Sequence, residues 1–200
     1  MIMQRDSLYK IRDRAIRSGR AVFSVQQLAN LTGRKREVAK VYASRLVERG
    51  MAARLNKGKI AFSDDDFVIA TQFVEPSYVS LGSALAYHGV SEQITNEIEC
   101  VTTRNSIHYK GLEIRYHKIS TGLFFGYERL QKGDSYVFVA TPEKALIDGV
   151  YLNIYSAGDI EEYLHKGSID IGKLRTLLGG FHGRGSKKLS KVILSSTKIN

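Results

Sequence analysis

The chain has 200 residues, of which 43% are hydrophobic and 25% are charged, values usual for a soluble globular protein. No apolar run approaches the roughly 20 residues that cross a bilayer, and no secretory signal is visible, so we expect a cytoplasmic protein with no membrane partner. A single cysteine, Cys100, excludes an internal disulfide and a zinc finger, and its apolar neighbours predict a buried strand residue.

The net charge of +10 is distributed unevenly along the chain. Residues 1–63 hold 15 Lys+Arg and 4 Asp+Glu, a charge of +11, whereas residues 64–200 hold 15 and 16, a charge of −1. This division predicts a basic module, residues 1–66, followed by a nearly neutral one, residues 67–200, with the boundary at "SDDD". A basic module of this kind is typical of proteins that bind nucleic acid.

Two helices are predicted at the start of the basic module. In the first, an apolar stripe at helical spacing includes Leu8, Ile11 and Ala15. In the second, Ser24 and Gln27 have the spacing of a capping box. Gly33 then predicts a turn before a third helix.

The third helix is predicted within "RKREVAKVYASRLVERG" and ends at Gly50. After it, "MAARL" and "KIAFS" alternate like two strands, and "NKGK" between them predicts a hairpin turn. The side chains expected to face the core of the third helix are Val38, Ala39, Tyr42, Ala43 and Leu46.

This order of elements is that of a winged helix-turn-helix, in which one helix enters the major groove and a hairpin contacts the flanking backbone. Arginine binds guanine through two hydrogen bonds, and lysine suits phosphate. We therefore expect double-stranded DNA as the partner. The residues predicted to contact it are Arg34, Lys35, Arg36, Lys40 and Ser44 on the helix and Arg54, Lys57 and Lys59 on the hairpin.

Two questions about this module stay open in the sequence. Phosphate is common to DNA and RNA, so an RNA-binding winged helix is an alternative, although no aromatic-rich RNA-binding motif is present. Binding to inverted repeats favours two copies on one duplex, but no dimer helix is evident. A monomer or a weak dimer is therefore expected.

The second module is predicted to be an α+β domain with a small antiparallel sheet. "DFVIATQFV" predicts a helix that ends before Pro76, and "HYKGLEIRYH" predicts a hairpin around Lys110 and Gly111. Ser80 and Thr141 are positioned to cap two further helices. Three more helices are expected near residues 157–165, 171–178 and 186–195, with a basic loop over residues 179–188.

Two segments of this module, "PSYVSLGSALAYHGV" and "ATPEKALIDGVYL", resemble the AbiEi family of antitoxins and transcriptional regulators. Together with the predicted winged helix, the resemblance covers nearly the whole chain. Caps, core contacts and an i,i+4 pair of Lys144 and Asp148 would also explain most of these positions. Gly149 departs from the family, which usually has a larger apolar residue, and predicts a loose or a closely packed helix. The family-like positions are Tyr78, Ser80, Leu81, Ala84, Leu85, Pro142, Glu143, Lys144, Ala145 and Asp148.

The resemblance implies a type IV toxin–antitoxin system. The N-terminal domain would bind inverted repeats at its own promoter and repress the operon. The C-terminal domain would counter a nucleotidyltransferase toxin without forming a stable complex with it. A stand-alone regulator, whose second domain binds a ligand or a protein partner, is the alternative.

The sequence contains little that points to catalysis, so we expect neither an enzyme nor a cofactor. No histidine has a metal-ligand spacing with another histidine, a cysteine or a carboxylate, so no metal site is predicted. A metal-dependent nuclease is a minor alternative that rests on Glu97, Glu99 and Glu113, although Arg115 stands where such sites have lysine. The histidines are His88, His108, His117, His165 and His182.

Overall fold

The structure, a computed structural model, describes residues 7–92, 96–165, 169–180 and 185–196. These residues form a mixed α+β fold with one small antiparallel sheet and one larger mixed sheet. They divide into two compact units, each with its own interior. Residues up to Phe73 belong to the first unit together with Leu130–Val137, and Val74–Arg129 and the residues from Phe138 onward belong to the second.

The first unit begins with three helices and a three-stranded sheet. The sheet has the order β1-β3-β2 and is antiparallel throughout, with Phe23 opposite Ile60 and Arg54 also opposite Ile60. A fourth helix follows the last strand. The elements are α1 Leu8–Arg17, β1 Val22–Ser24, α2 Val25–Thr32, α3 Arg36–Glu48, β2 Ala53–Arg54, β3 Lys59–Ala61 and α4 Asp66–Phe73.

Local signals in the sequence explain the ends of these helices. Ser24 and Gln27 form the predicted capping box at the start of α2, with each side chain bonded to the other residue's backbone amide. Gly33 and Gly50 end α2 and α3 with φ of 64° and 67°, a conformation that glycine adopts without steric cost. The apolar faces of α1, α2 and α3 meet in one core that includes Ile11, Leu28 and Leu46.

The side chain of Gln72 forms hydrogen bonds with two distant segments of the first unit. Its side chain is fully buried in α4, and its carbonyl oxygen accepts hydrogen bonds from the amides of Ala21 (2.8 Å) and Val22 (3.2 Å). Its amide group donates to Ser135 Oγ at 2.9 Å and to the Tyr136 carbonyl at 3.0 Å. The segment Leu130–Val137 therefore completes the polar interior of this unit.

The second unit contains most of a six-stranded sheet with the order β6-β7-β5-β4-β9-β8. Its helices pack among themselves and on the sheet, and α5 contacts α6. The elements are β4 Ser77–Val79, α5 Leu81–Tyr87, β5 Ile98–Thr102, β6 Ile107–Tyr109, β7 Ile114–Lys118, β8 Tyr127–Lys132, β9 Ser135–Ala140, α6 Pro142–Tyr151, α7 Ala157–His165, α8 Ile171–Gly179 and α9 Ser186–Ser196.

The prediction of a small antiparallel sheet in this unit was wrong. The β6–β7 hairpin forms as predicted, with His108 opposite Arg115, but β7 also pairs in parallel with β5, and β4 pairs in parallel with β9. The sheet is therefore mixed. The periodicity of a strand reports which face is buried but carries no information about the direction of its neighbour.

Three strands, β1, β4 and β8, lack a recognisable strand pattern in the sequence. β1 and β4 have only three residues each, too few to show an alternating pattern, and β8 has the sequence "YERLQK", whose charged residues suggest a loop. The three late helices lie close to their predicted positions. Of the basic loop predicted over residues 179–188, residues 181–184, with His182, lie outside the described residues. The prediction was wrong for residues 186–188, which form the first turn of α9.

Among the residues that the structure describes, no helix combines the length and the apolar character needed to span a bilayer.

Candidate functional site

Three of the cations predicted to contact DNA lie at the start of α3. Lys35 occupies the N-cap position, Arg36 is the first helical residue, and Lys40 follows one turn later. All three side chains are exposed. We call Lys35, Arg36 and Lys40 the basic face of α3. Arg34, in the preceding turn, is half-buried.

Of the five α3 residues predicted to face the core, four are buried and one is exposed. Ala39, Tyr42, Ala43 and Leu46 are buried, as the apolar stripe predicted. Val38 was predicted to face the core, but 40% of its surface is exposed. The reason is geometric, because Val38 precedes Ala39 by one residue and is turned about 100° away from it on a helix.

The β2–β3 hairpin carries Lys57 at its tip and Arg54 on its first strand. Lys57 is exposed and has φ of 56°, so the turn holds it in a left-handed conformation. An Nη atom of Arg54 lies 3.5 Å from Ser44 Oγ on α3, within the same compact unit. The structure therefore brings Ser44 and Arg54 together beside the exposed side of the helix.

The side chain of Lys59 is bound within the first unit. Its ammonium group donates a hydrogen bond to the Phe73 carbonyl at 2.5 Å and lies 5.1 Å from the centre of the Phe73 ring. Phe73 is the last residue of α4, whose final carbonyls carry partial negative charge. Lys59 therefore binds the end of α4 in this structure.

In the second unit, the two AbiEi-like segments meet in one buried group of polar side chains. Tyr78 Oη and Ser80 Oγ donate hydrogen bonds to Asp148 Oδ2 at 3.0 and 2.8 Å, and Lys144 Nζ forms an ion pair with Asp148 Oδ1. All four side chains have no exposed surface. We call Tyr78, Ser80, Lys144 and Asp148 the buried motif cluster.

Aromatic rings and a glycine surround the ammonium group and stem of Lys144. Its Nζ atom lies 4.8 Å from the centre of the Phe125 ring and 5.9 Å from that of Tyr78, both within the range of cation–π attraction. Gly126, with φ of 73°, lies against the stem, because a Cβ atom there would be 3.0 Å from Lys144 Cγ. Phe125 and Gly126 therefore belong to the same site, and no sequence pattern indicated them.

Burial dominates the titration of this cluster. It raises the pKa of the Asp148 carboxyl, while the bonds from Lys144, Ser80 and Tyr78 act in the opposite direction. Burial, assisted by the neighbouring Asp148, also raises the pKa of the Tyr78 hydroxyl. Tyr78 therefore stays protonated and acts as a hydrogen-bond donor.

The start of α5 differs from its prediction. Ser80 stands at the N-cap position with an extended backbone, but its hydroxyl makes no cap hydrogen bond and donates to Asp148 instead. Leu81, the next residue, has φ of 53° and is buried. A non-glycine residue in this conformation costs roughly 1 to 2 kcal/mol. The Ser80 hydroxyl is therefore part of the buried motif cluster and does not cap α5.

The start of α6 follows its prediction. Thr141 is the N-cap and accepts a hydrogen bond from the Lys144 amide, and Pro142 is at the first helical position. Glu143 is buried, accepts from the Asp170 amide at 3.1 Å and lies 3.7 Å from Lys173 Nζ. Glu143 therefore connects α6 to α8.

The sequence left open whether α6 is loose or closely packed at Gly149. The structure shows that it is closely packed there. A Cβ atom built on Gly149 would lie 2.0 Å from Cδ2 and 2.2 Å from Cε2 of Tyr155. The Tyr155 amide also donates to the Gly149 carbonyl. The ring lies directly on the helix backbone, and glycine is the residue that permits this contact.

The carboxylates considered for a nuclease lie on or beside β5 and β7. Glu97 is held by Arg115 Nε at 2.5 Å and by His108 Nε2 at 2.8 Å. The hydrogen bond from Arg115 lowers the pKa of Glu97. Glu99 lies 3.6 Å from His117 Nε2 and accepts from the Gly82 amide, and Glu113 is exposed in the turn before β7. Glu97 is therefore already paired with the guanidinium of Arg115.

Two further histidines lie at helix ends, and the cysteine lies on a strand. His88 Nε2 lies 2.9 Å from the Ala140 carbonyl at the end of α5, and His165 is the last residue of α7. Cys100 is buried on β5, as predicted, and burial raises the pKa of its thiol. Within the part of the chain that the structure describes, no three His, Cys, Asp or Glu side chains are grouped to hold a metal ion.

No protein-family model matches the chain, and no curated protein matches it by sequence comparison.

Proposed function

We propose that this chain is a transcriptional repressor that binds double-stranded DNA through a winged helix-turn-helix in its first unit. In this proposal α3 enters the major groove, and the β2–β3 hairpin is the wing that contacts the flanking backbone. The order of helices and strands supports this assignment, since a recognition helix followed by a hairpin is the arrangement of that motif.

The observation that carries the proposal is the exposed basic face of α3. Lys35, Arg36 and Lys40 lie in the first turns of a helix whose other side is buried in the core of the unit. Side chains at the start of a recognition helix are the ones that reach base edges. The charge of +11 over residues 1–63 supplies the attraction to phosphate that such a helix requires.

A gel shift with the upstream DNA of the gene tests this proposal. The protein is titrated against that duplex and against a scrambled duplex of equal length and composition, at two salt concentrations. We expect selective binding that persists at the higher salt. Equal and salt-sensitive binding to both duplexes would contradict a repressor and leave a basic unit that binds nucleic acid without selectivity. A matched RNA duplex in the same assay tests the RNA alternative.

We further propose that the second unit has an antitoxin function that counters a nucleotidyltransferase toxin, without a stable complex between the two proteins. The support is the AbiEi resemblance together with the buried motif cluster. Its members come from two segments separated by about sixty residues, and they form one hydrogen-bonded group. The two halves of the resemblance are thus parts of one site.

Rescue of growth tests the antitoxin half. The nucleotidyltransferase encoded beside the gene is expressed from an inducible promoter, with and without this chain, and growth is recorded. We expect rescue by the full chain. Operator binding without rescue would favour the alternative of a stand-alone regulator whose second unit binds a ligand or a protein partner.

The nuclease alternative receives less support from the geometry. A metal-dependent nuclease needs carboxylates that accept a cation, and Glu97 is already held by Arg115 and His108. Cleavage of DNA that depends on added Mg²⁺ and is lost in Glu99→Gln would support the nuclease alternative.

A further inference from the structure

Two exposed valines stand out on α3. Val38 and Val41 have 40% and 47% of their surface exposed, and they are three residues apart, so their side chains are neighbours on the helix surface. The other exposed large apolar side chains in the described residues are scattered over α1, β6, α9 and the turn after α6. The valines therefore form a small apolar patch within a strongly basic unit.

Val41 lies on the side of α3 opposite the core. With Glu37 and Ser44 it follows the spacing i, i+4, i+7, which makes one line along a helix. The buried residues Ala39 and Leu46 lie on the opposite side. Val41 is thus the large apolar residue in the middle of the outward line.

The polar neighbours of this line identify what the valine faces in the proposed complex. Lys40 is beside Val41, Ser44 is the next residue along the line, and Ser44 lies 3.5 Å from Arg54 on the hairpin. If Lys40, Ser44 and Arg54 contact DNA as proposed, this side of α3 faces the groove. The centre of the line then faces base edges.

We propose that Val41 contacts the 5-methyl group of a thymine and so sets a preference for thymine at one position of the DNA site. This inference rests on the proposed function. A valine side chain can neither donate nor accept a hydrogen bond, and the apolar group that bases present in the major groove is the thymine methyl. The contact removes that methyl and the valine from water together.

The experiment starts by selecting high-affinity duplexes from a randomised pool with the wild-type protein. Each thymine of the selected site is then replaced singly by deoxyuridine, which removes the methyl group and leaves every hydrogen-bonding group in place. Dissociation constants are measured for wild type, for Val41→Ala and for the control Ile154→Ala. Ile154 has a comparable exposure of 42% and lies outside α3.

At one thymine we expect deoxyuridine to weaken binding by wild type and by Ile154→Ala about fourfold, the effect of burying one methyl-sized group. Val41→Ala should bind the thymine and deoxyuridine duplexes equally. If Val41→Ala keeps the full deoxyuridine effect, or if no thymine shows one in wild type, the proposal is wrong.

The same data separate this proposal from the one on which it rests. A pool from which no sequence is enriched would overturn the repressor itself, and the thymine contact with it. Enriched sites without a Val41-dependent methyl effect would overturn the thymine contact alone. A change of oligomeric state in Val41→Ala, with the methyl effect intact, would assign the patch to contacts between protein chains.

Discussion

At the scale of single residues, Gly149 shows how one missing side chain shapes the second unit. Gly149→Ala places a Cβ atom where the Tyr155 ring now lies, 2.0 Å from Cδ2, so the ring or the helix must move. We expect a loss of about 1 to 3 kcal/mol in the free energy of unfolding, the usual cost of overpacking. Urea denaturation followed by circular dichroism measures it.

Gly179→Ala is the matched control, because it also lies in a helix but has open space around the position of Cβ. That variant should be neutral or more stable by up to about 1 kcal/mol, since alanine favours a helix more than glycine. An equal loss in both variants would show that contact with Tyr155 does not control the result.

The ion pair of Lys144 and Asp148 makes a second prediction at this scale. Asp148→Asn removes a charge from a site without exposed surface and leaves Lys144 unpaired, so we expect a loss of about 3 to 5 kcal/mol. Combining it with Lys144→Met should restore most of the stability, because the asparagine oxygen can still accept from Ser80 and Tyr78. Denaturant titration of both variants measures the difference.

The double variant also separates structure from function. A folded double variant that still rescues cells from the toxin would show that the cluster only stabilises the second unit. Loss of rescue in the folded double variant would place the charged pair itself in the proposed antitoxin function. A double variant no more stable than Asp148→Asn would contradict the expected recovery.

At the scale of elements, the β2–β3 hairpin separates two lysines that look equivalent in the sequence. Lys57 is exposed at the tip, whereas the amine of Lys59 donates to the Phe73 carbonyl. Lys57→Ala should weaken binding to all duplexes by the same factor and reduce the slope of log K against log salt by about one. Binding measured over a salt series gives both quantities.

Lys59→Ala is the comparison within the same hairpin. It should leave the salt slope unchanged and lower the free energy of unfolding by about 1 kcal/mol, through loss of the hydrogen bond to α4. A reduced slope in Lys59→Ala would mean that the amine leaves Phe73 to contact phosphate, as the sequence alone predicted.

The helices were more predictable than the strands for a physical reason. A capping box at Ser24, a proline at position 142 and a glycine at position 33 are local signals, and each helix end follows from residues near it in sequence. The direction of β5 against β7 depends on where the chain travels between them. The residues within the two strands do not determine that path.

The candidate sites also differ in how far the sequence predicts them. The basic face of α3 could be predicted because charge and helical spacing are properties of the sequence. The pairing of Ser80 with Asp148 could not, because it joins residues distant in the chain. The exposure of Val38 was mispredicted because a valine in an amphipathic helix is assigned to the core by its chemistry, whatever its angle.

At the scale of the whole molecule, Gln72 holds together segments from three parts of the sequence. Gln72→Leu keeps the volume but removes the oxygen that accepts from the buried amides of Ala21 and Val22. Each such group costs about 1 to 3 kcal/mol, so we expect a total loss of about 2 to 6 kcal/mol. Thermal and urea denaturation measure it.

Gln26→Leu is the control for this prediction, since Gln26 is exposed and bonds to Asn30 within the same helix. It should change the free energy of unfolding by less than about 0.5 kcal/mol. Comparable losses in the two variants would show that the buried amide contributes nothing specific.

The membership of Leu130–Val137 in the first unit has a consequence for synthesis of the protein. While the ribosome is translating residues 74–137, the Gln72 amide group has neither Ser135 nor Tyr136 to donate to. At about 5 to 20 residues per second this interval lasts roughly 3 to 13 seconds. The first unit therefore cannot be completed until a segment encoded far downstream has been made. A chain whose synthesis stops between residues 74 and 129 lacks that segment.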